Sequence, residues 1–104
     1  MKYCTINCTV KNIEDAKSLS KHLVNMKLIA CSNIIPQITS VYNWQNKVEE
    51  ESEVLLIMKT KTSLYKKTEE EIKKLHKYEN PEIICLPVID GSRYYLDWID
   101  EQTI

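Results

Sequence analysis

The chain has 104 residues, which corresponds to one domain over residues 1–104, and its formal net charge is −1. This charge provides no electrostatic attraction to nucleic acid or to an anionic membrane, so neither is an expected partner. The single glycine excludes a glycine-rich phosphate loop. No apolar run approaches the roughly 20 residues of a membrane span, and the N-terminus lacks the apolar core of a signal peptide. We therefore expect a cytoplasmic protein with reduced cysteines.

The first two predicted elements are a strand and an amphipathic helix. Alternation predicts a strand from Tyr3 to Val10, whose apolar face carries Cys4, Ile6, Cys8 and Val10. Asn12 is a suitable N-cap, with Asp15 near the positive end of the helix. The inner face of this helix carries Ile13, Ala16, Leu19, Leu23 and Met26. Along the strand Cys4 and Cys8 lie about 13 Å apart, too far for a disulfide or for sharing one metal ion.

The middle of the chain, from Ala30 to Thr62, predicts a β-hairpin of unusual length. Two long β-type segments flank a short polar turn, Gln45 to Lys47. Each arm is about twice the average strand length of roughly 5–6 residues. Because such arms extend beyond a small domain, we expect a neighbouring subunit to stabilise them.

A second helix is predicted after the hairpin. Thr62 or Ser63 is its expected N-cap. Its inner face is predicted to carry Leu64, Thr68, Ile72 and Leu75. The pattern ends at Asn80 and Pro81, because proline interrupts a helix.

A strand and a short closing helix complete the predicted elements. The strand runs from Glu82 to Ile89. Gly91 allows a turn and Ser92 is the expected N-cap of the closing helix. The apolar positions of that helix are Tyr95, Leu96 and Ile99.

The order of elements, β-α-β-β-α-β with a terminal helix, predicts an α+β fold of the ferredoxin-like split β-α-β type. Its sheet is antiparallel and carries both main helices on one face. Two segments, Val54 to Met58 and Ile83 to Ile89, are apolar on both faces, although a half-exposed sheet normally alternates. A second subunit would cover the open face. The alternative is that the C-terminal helix covers it alone.

Several motifs give the chain a close resemblance to the CutA family of divalent-cation tolerance proteins. They are Ala30-Cys31-Ser32-Asn33-Ile34-Ile35-Pro36, Tyr42-Asn43-Trp44, Ser52-Glu53-Val54-Leu55-Leu56 and His76-Lys77-Tyr78-Glu79-Asn80-Pro81-Glu82. The resemblance implies a ferredoxin-like homotrimer in which long hairpins pair across subunits. It also implies a role in tolerance of copper and other divalent cations, with copper binding in some members. No enzymatic activity is established for the family.

The chain departs from the family pattern at four places. Gln37 stands where glycine commonly follows the proline, and the turn reads Gln45-Asn46-Lys47 instead of Glu-Gly-Lys. Asparagine tolerates a left-handed backbone, so the turn is expected to persist. Lys77 replaces a proline, and Leu75 stands where a copper-binding relative has the first of two histidines.

The resemblance implies Cys8 and His76 as candidate ligands for copper or another divalent cation. A thiolate and an imidazole both suit copper. The alternatives are that Cys8 is a small core residue and that His76 is a helix-terminal histidine favoured by the helix dipole. With Leu75 in place of a histidine, we expect weak binding, or a ligand from water or another subunit.

For the other residues that could bind a ligand or a metal ion, we favour structural roles. We expect Cys31 and Cys85 to be buried by packing, and His22 to lie at the surface. Tyr42 and Trp44 could stack on a ligand, although packing against a subunit is favoured. The acidic cluster of Glu49, Glu50, Glu51 and Glu53 could hold hard cations, but a solvated strand edge is favoured. The segment from Tyr78 to Glu82 is either part of an intersubunit cleft or a rigid turn.

The function predicted from these features is that of a trimeric divalent-cation tolerance protein that binds copper or another divalent cation weakly. One alternative is a trimeric small-molecule sensor similar to the PII signalling proteins. Another is a structural scaffold for a partner protein. No third orienting group or oxyanion hole accompanies the cysteine and histidine residues, so we expect no catalysis.

Overall fold

The computed structural model covers residues 1–104 and contains a four-stranded antiparallel sheet with the strand order β2-β3-β1-β4. This order and the sequence of elements confirm the ferredoxin-like α+β fold. No helix has the length and apolar character that crossing a membrane requires. The elements are β1 (Tyr3–Val10), α1 (Ile13–Asn25), β2 (Cys31–Trp44), β3 (Lys47–Lys61), a 3-10 turn (Thr62–Leu64), α2 (Tyr65–Leu75), β4 (Ile83–Pro87) and α3 (Arg93–Gln102).

The hydrophobic core lies between the sheet and the helices α1 and α2. The alternation predicted for β1 is confirmed, since Cys4, Ile6 and Cys8 are buried. They pack with Leu56 and Met58 of β3 and with the inner residues of the helices, which include Ala16, Leu19, Leu23 and Ile72. Burial of each large aliphatic side chain contributes about 1.5–3 kcal/mol, so this layer supplies most of the stability of the sheet.

Both ends of α1 are fixed by identifiable contacts. The Asn12 side chain accepts a 2.8 Å hydrogen bond from the Asp15 backbone N–H, as expected of an N-cap. At the other end Lys27 has a left-handed backbone with φ 59°. This conformation lets Leu28 donate to the Leu23 carbonyl at 3.1 Å and closes the helix. Met26, predicted on the inner face, lies beyond α1 and is exposed.

The hairpin has the predicted length, with arms of 14 and 15 residues. Gln45 and Asn46 connect the arms with φ of 51° and 65°, as a two-residue hairpin turn with two left-handed residues requires. The pairing shifts register between Ile35 and Ile38, at the proline that lacks a backbone donor. The molecule measures 44 × 25 × 23 Å, and exposed apolar residues lie near the hairpin tip, among them Val41 and Val48.

Three local predictions about the second half of the chain are wrong. Neither Thr62 nor Ser63 caps α2, because both lie in the 3-10 turn that precedes it. Leu75 is 49% exposed instead of inward, since it ends the helix where the chain turns away. By contrast, Ser92 is the N-cap residue of α3 as predicted, although its side chain makes no capping hydrogen bond.

The third error is the length of β4, which is Ile83–Pro87 instead of Glu82 to Ile89. Pro87 has no N–H to extend the ladder. The Val88 N–H still donates to the Tyr3 carbonyl at 3.0 Å. Beyond that bond the chain leaves the sheet for the turn before α3.

The C-terminal helix α3 covers only part of the sheet face opposite α1 and α2. Asp100 anchors it by accepting hydrogen bonds from the Tyr3 hydroxyl at 2.5 Å and from Lys2 at 2.9 Å. Apolar side chains of the same sheet face stay exposed, among them Ile84 and Leu86 at 51% and 41%. Therefore α3 alone does not cover the open face.

Candidate functional site

The segment that follows α2, from His76 to Pro81, forms the centre of the candidate site. His76 ends the helix, and its N–H donates to the Ile72 carbonyl at 2.8 Å. Its ring then bonds through both nitrogens. Nε2 lies 2.7 Å from the Thr9 carbonyl oxygen, and Nδ1 accepts from the Tyr78 N–H at 3.1 Å. Since a carbonyl only accepts, the proton is assigned to Nε2.

Cys8 lies close to the same carbonyl oxygen. Its thiol is fully buried, and Sγ lies 3.8 Å from the Thr9 oxygen. Burial, followed by the nearby carboxylates of Glu82 and Glu53, raises the Cys8 pKa to about 12. The fold thus brings Cys8 and His76 together at Thr9, although each polar group is bonded within the protein.

These residues do not constitute a complete metal site within one chain. No group of three or more His, Cys, Asp or Glu side chains is placed to hold a metal ion. Cys8 and His76 fit as two ligands of a soft metal, since sulfur and imidazole nitrogen are both suitable donors. That Cys8 and His76 bind the same ion stays a prediction.

Tyr78 connects this segment to the hairpin. Its hydroxyl donates to Glu53 Oε2 at 2.8 Å, and its ring packs on the His76 ring with centroids 4.8 Å apart. Burial and the Glu53 carboxylate raise the pKa of Tyr78. Glu53 is buried, so the prediction of a solvated edge is wrong for this residue. The sequence pattern does not indicate this burial, because Glu53 closely follows Glu49, Glu50 and Glu51, which together are typical of an exposed edge.

Three cavities border the segment from His76 to Pro81. The smallest, about 210 Å³, lies against α1, where Lys77 forms a 3.0 Å ion pair with Asp15. A second of about 480 Å³ lies toward the hairpin tip and is lined by Tyr42, Trp44, Glu49, Glu51, Lys77, Tyr78, Glu79 and Asn80. A third of about 470 Å³ lies beside α2. Carboxylates outnumber the single lysine around the second cavity, so it favours cations.

Tyr42 and Trp44 both line the second cavity. The Tyr42 hydroxyl donates to Glu51 Oε1 at 2.6 Å, and this hydrogen bond is the main cause that raises the Tyr42 pKa to about 12. Both side chains are exposed in the single chain, at 38% and 40%. They are therefore available either to a ligand or to a neighbouring subunit.

The remaining candidate residues, His22, Cys31 and Cys85, lie outside the segment around His76. His22 lies at the surface as predicted, with 42% of its side chain exposed, and its Nε2 lies 3.2 Å from Glu71 Oε1, which links α1 to α2. Lys74 first and His22 second lower the Glu71 pKa. Cys31 and Cys85 are only half-buried, so the predicted burial is incomplete for both.

Comparison with known proteins establishes the relationship of this chain. The family model for the "CutA1 divalent ion tolerance protein" matches residues 4–102. The chain belongs to the CutA1 family. The match includes β1 with Cys8, the whole hairpin and the segment around His76 and Tyr78.

Individual CutA relatives agree with this assignment. The chain is 47% identical over 95 residues to the divalent-cation tolerance protein CutA of Thermus thermophilus, covering 91% of this chain and 92% of the relative. It is 46% identical to the chloroplastic protein CutA of Arabidopsis thaliana, again over 91% of this chain, but spans only 52% of that relative. The crystal structure of CutA1 from Oryza sativa superimposes with a TM-score of 0.97 at 40% identity, covering 100% and 95% of the two chains.

Proposed function

We propose that this protein acts in tolerance to divalent cations as a homotrimer and binds copper or another divalent cation weakly through Cys8 and His76. The observation that carries the proposal is the convergence of the two side chains on the Thr9 carbonyl, from β1 and from the end of α2. Membership of the CutA1 family supports the cation-related role.

Weak affinity follows from what a metal ion must displace. Coordination by sulfur requires the thiolate, and the Cys8 pKa of about 12 means that the metal competes with a tightly held proton. Coordination by His76 Nε2 requires loss of its 2.7 Å bond to Thr9. Because one chain supplies only two such ligands, further ligands must come from water or a neighbouring subunit.

Copper titration of metal-free protein, purified without an affinity tag, tests the proposed ligands. Cys8→Ser and His76→Ala are each expected to lower copper affinity at least about tenfold, or 1.4 kcal/mol. Cys31→Ser and His22→Ala are matched controls, because they remove the same chemical groups from other faces and should leave the isotherm unchanged. Unchanged isotherms in the first two variants would return Cys8 and His76 to purely structural roles.

Two observations support assembly as a homotrimer. The apolar side chains of Ile84 and Leu86 need a cover that α3 does not provide. The hairpin also carries exposed Tyr42, Trp44 and Val48 far from the core. Apolar patches of this kind on soluble proteins commonly mark an interface.

A small-molecule sensor similar to the PII proteins is the second candidate function. The cavity of about 480 Å³ favours it, since aromatic rings and a few polar groups are typical of ligand sites. The carboxylates of Glu49, Glu51 and Glu79 repel phosphate, so we expect nucleotide titration to give no saturable binding. Saturable nucleotide binding would favour the sensor over the metal-binding function.

We further propose a cytoplasmic location and no catalytic activity. All four cysteines are free, which suits a reducing compartment. Both nitrogens of His76 are bonded, so the histidine nearest to a thiol is not arranged as a general base.

A further inference from the structure

Two thiols from neighbouring strands lie on one side of the sheet near its β4 edge. Cys85 of β4 pairs with Ile6 of β1, and Cys4 lies two residues before Ile6. Residues directly opposite each other in an antiparallel pair share a face, as do residues two apart on one strand. Cys4 and Cys85 therefore form a diagonal pair on the helix-covered face, where Cys4 is buried and Cys85 is half-buried.

The spacing of this pair suits a bridging ion better than a disulfide. Diagonal partners have Cα atoms about 7–8 Å apart, whereas disulfides rarely span more than about 6.8 Å. Both thiols are free. A two-coordinate ion adds two metal–sulfur bonds of about 2.3 Å each between the sulfur atoms, which accommodates the wider spacing.

The surroundings of the pair favour an uncharged complex. Burial raises the Cys4 pKa to about 12, and the Cys85 thiol is the next cause. Tyr65 of α2 lies beside the pair, since its hydroxyl is 3.5 Å from the Ile83 carbonyl and both thiols contribute to its raised pKa. Because an unpaired charge in such a place is costly, a divalent ion that neutralises two thiolates is preferred over a monovalent one.

We propose that Cys4 and Cys85 form a two-coordinate binding site for a soft divalent cation of the mercury(II) type. Binding replaces two S–H bonds by two S–Hg bonds and releases two protons to solvent, so no oxidant or reductant is needed. Zinc is disfavoured because it requires about four ligands. The ion enters from the sheet edge, where Cys85 is partly exposed. The site is separate from Cys8 and His76.

Titration of the reduced protein with mercuric chloride, in buffer containing a fixed excess of glutathione, tests this site. Glutathione removes mercury from isolated single thiols, so only a two-thiol site is expected to retain it. We expect one ion retained per chain and, once the glutathione has been removed by gel filtration, protection of Cys85 from alkylation by N-ethylmaleimide. Retention of less than one ion per chain, or no protection of Cys85, would overturn the proposal.

Variants separate this site from the proposed copper site. Cys85→Ala, at the sheet edge, should lower mercury affinity at least about tenfold, or 1.4 kcal/mol. Cys31→Ala removes another half-buried thiol and should retain full affinity. A Cys8→Ser, His76→Ala double variant should also retain it, even if copper binding is lost. Mercury binding that survives Cys85→Ala, or disappears in the double variant, would contradict the assignment.

Discussion

The hydroxyl of Tyr78 lies 2.8 Å from a carboxylate oxygen of Glu53, a residue that is only 8% exposed. This contact connects the segment after α2 with β3. It also compensates the burial of a carboxylate, which is unfavourable without a hydrogen-bonding partner. A single phenolic oxygen therefore holds together two regions that are 25 residues apart in the chain.

Removing this hydroxyl is expected to destabilise the protein. Tyr78→Phe keeps the ring against His76 but leaves Glu53 without its donor, at a cost of about 1–3 kcal/mol. Urea unfolding measures the change. Tyr42→Phe is the matched control, since it breaks a 2.6 Å bond to Glu51 at an exposed position and should cost less than about 1 kcal/mol. Equal losses in the two variants would show that burial of Glu53 is unimportant.

The anchor of α3 predicts a loss of stability in acid. Hydrogen bonds from Tyr3 and then Lys2 lower the Asp100 pKa in the folded state. Its contribution is therefore fully present above the unfolded pKa of about 3.9 and is lost as pH falls through the folded value. When the free energy of unfolding is measured from neutral to strongly acid pH, Asp100→Asn should lose less stability in acid than the parent protein does. Asp97→Asn, which affects only an exposed pair with Arg93, should follow the parent curve.

Glycine should stabilise the end of α1. Lys27 has φ 59°, a conformation that costs a side-chain-bearing residue roughly 1 kcal/mol. Lys27→Gly is expected to raise the free energy of unfolding by a similar amount, and thermal denaturation measures it. Lys21→Gly places the same change inside the helix and should lower stability by about 1 kcal/mol. If both variants lose stability alike, the backbone strain at Lys27 is absent in solution.

A charge on the open sheet face should disrupt the proposed trimer. Ile84→Lys introduces an ammonium at a position that is 51% exposed in the single chain and would be desolvated in an interface. Sedimentation velocity at micromolar concentration is expected to give trimers for the parent and smaller species for the variant. Val24→Lys, on the exposed side of α1, is the control and should remain trimeric. A stable folded monomer of the parent protein would overturn the trimer itself.

The elements were predictable wherever one periodicity dominated the local sequence. Strand β1 and helix α1 follow directly from alternation and from the Asn12 cap. The short β4 was overestimated because its apolar run continues past Pro87, where hydrogen bonding stops. Likewise, local pattern placed Leu75 inward, although the chain changes direction at the next residue.

The site was less accessible to sequence reasoning because it depends on register and on long-range contacts. The contact of His76 with Thr9 joins residues 67 positions apart, and the family resemblance implied only that His76 and Cys8 are candidate ligands. The Glu53–Tyr78 bond and the Cys4–Cys85 pair had no local signal. Each needs the strand pairing before its members can be recognised as neighbours.

The register shift between Ile35 and Ile38 divides the hairpin into two separately paired parts. The part from Ile38 to Glu53 has continuous pairing and ends in a two-residue turn, so its length can change without disturbing the core. Adding two residues to each arm would extend it by about 7 Å and keep every side chain on its face. Adding one residue to each arm would exchange the two faces of the tip. The reach of this arm can therefore change without inverting its two faces only in steps of two residues per strand.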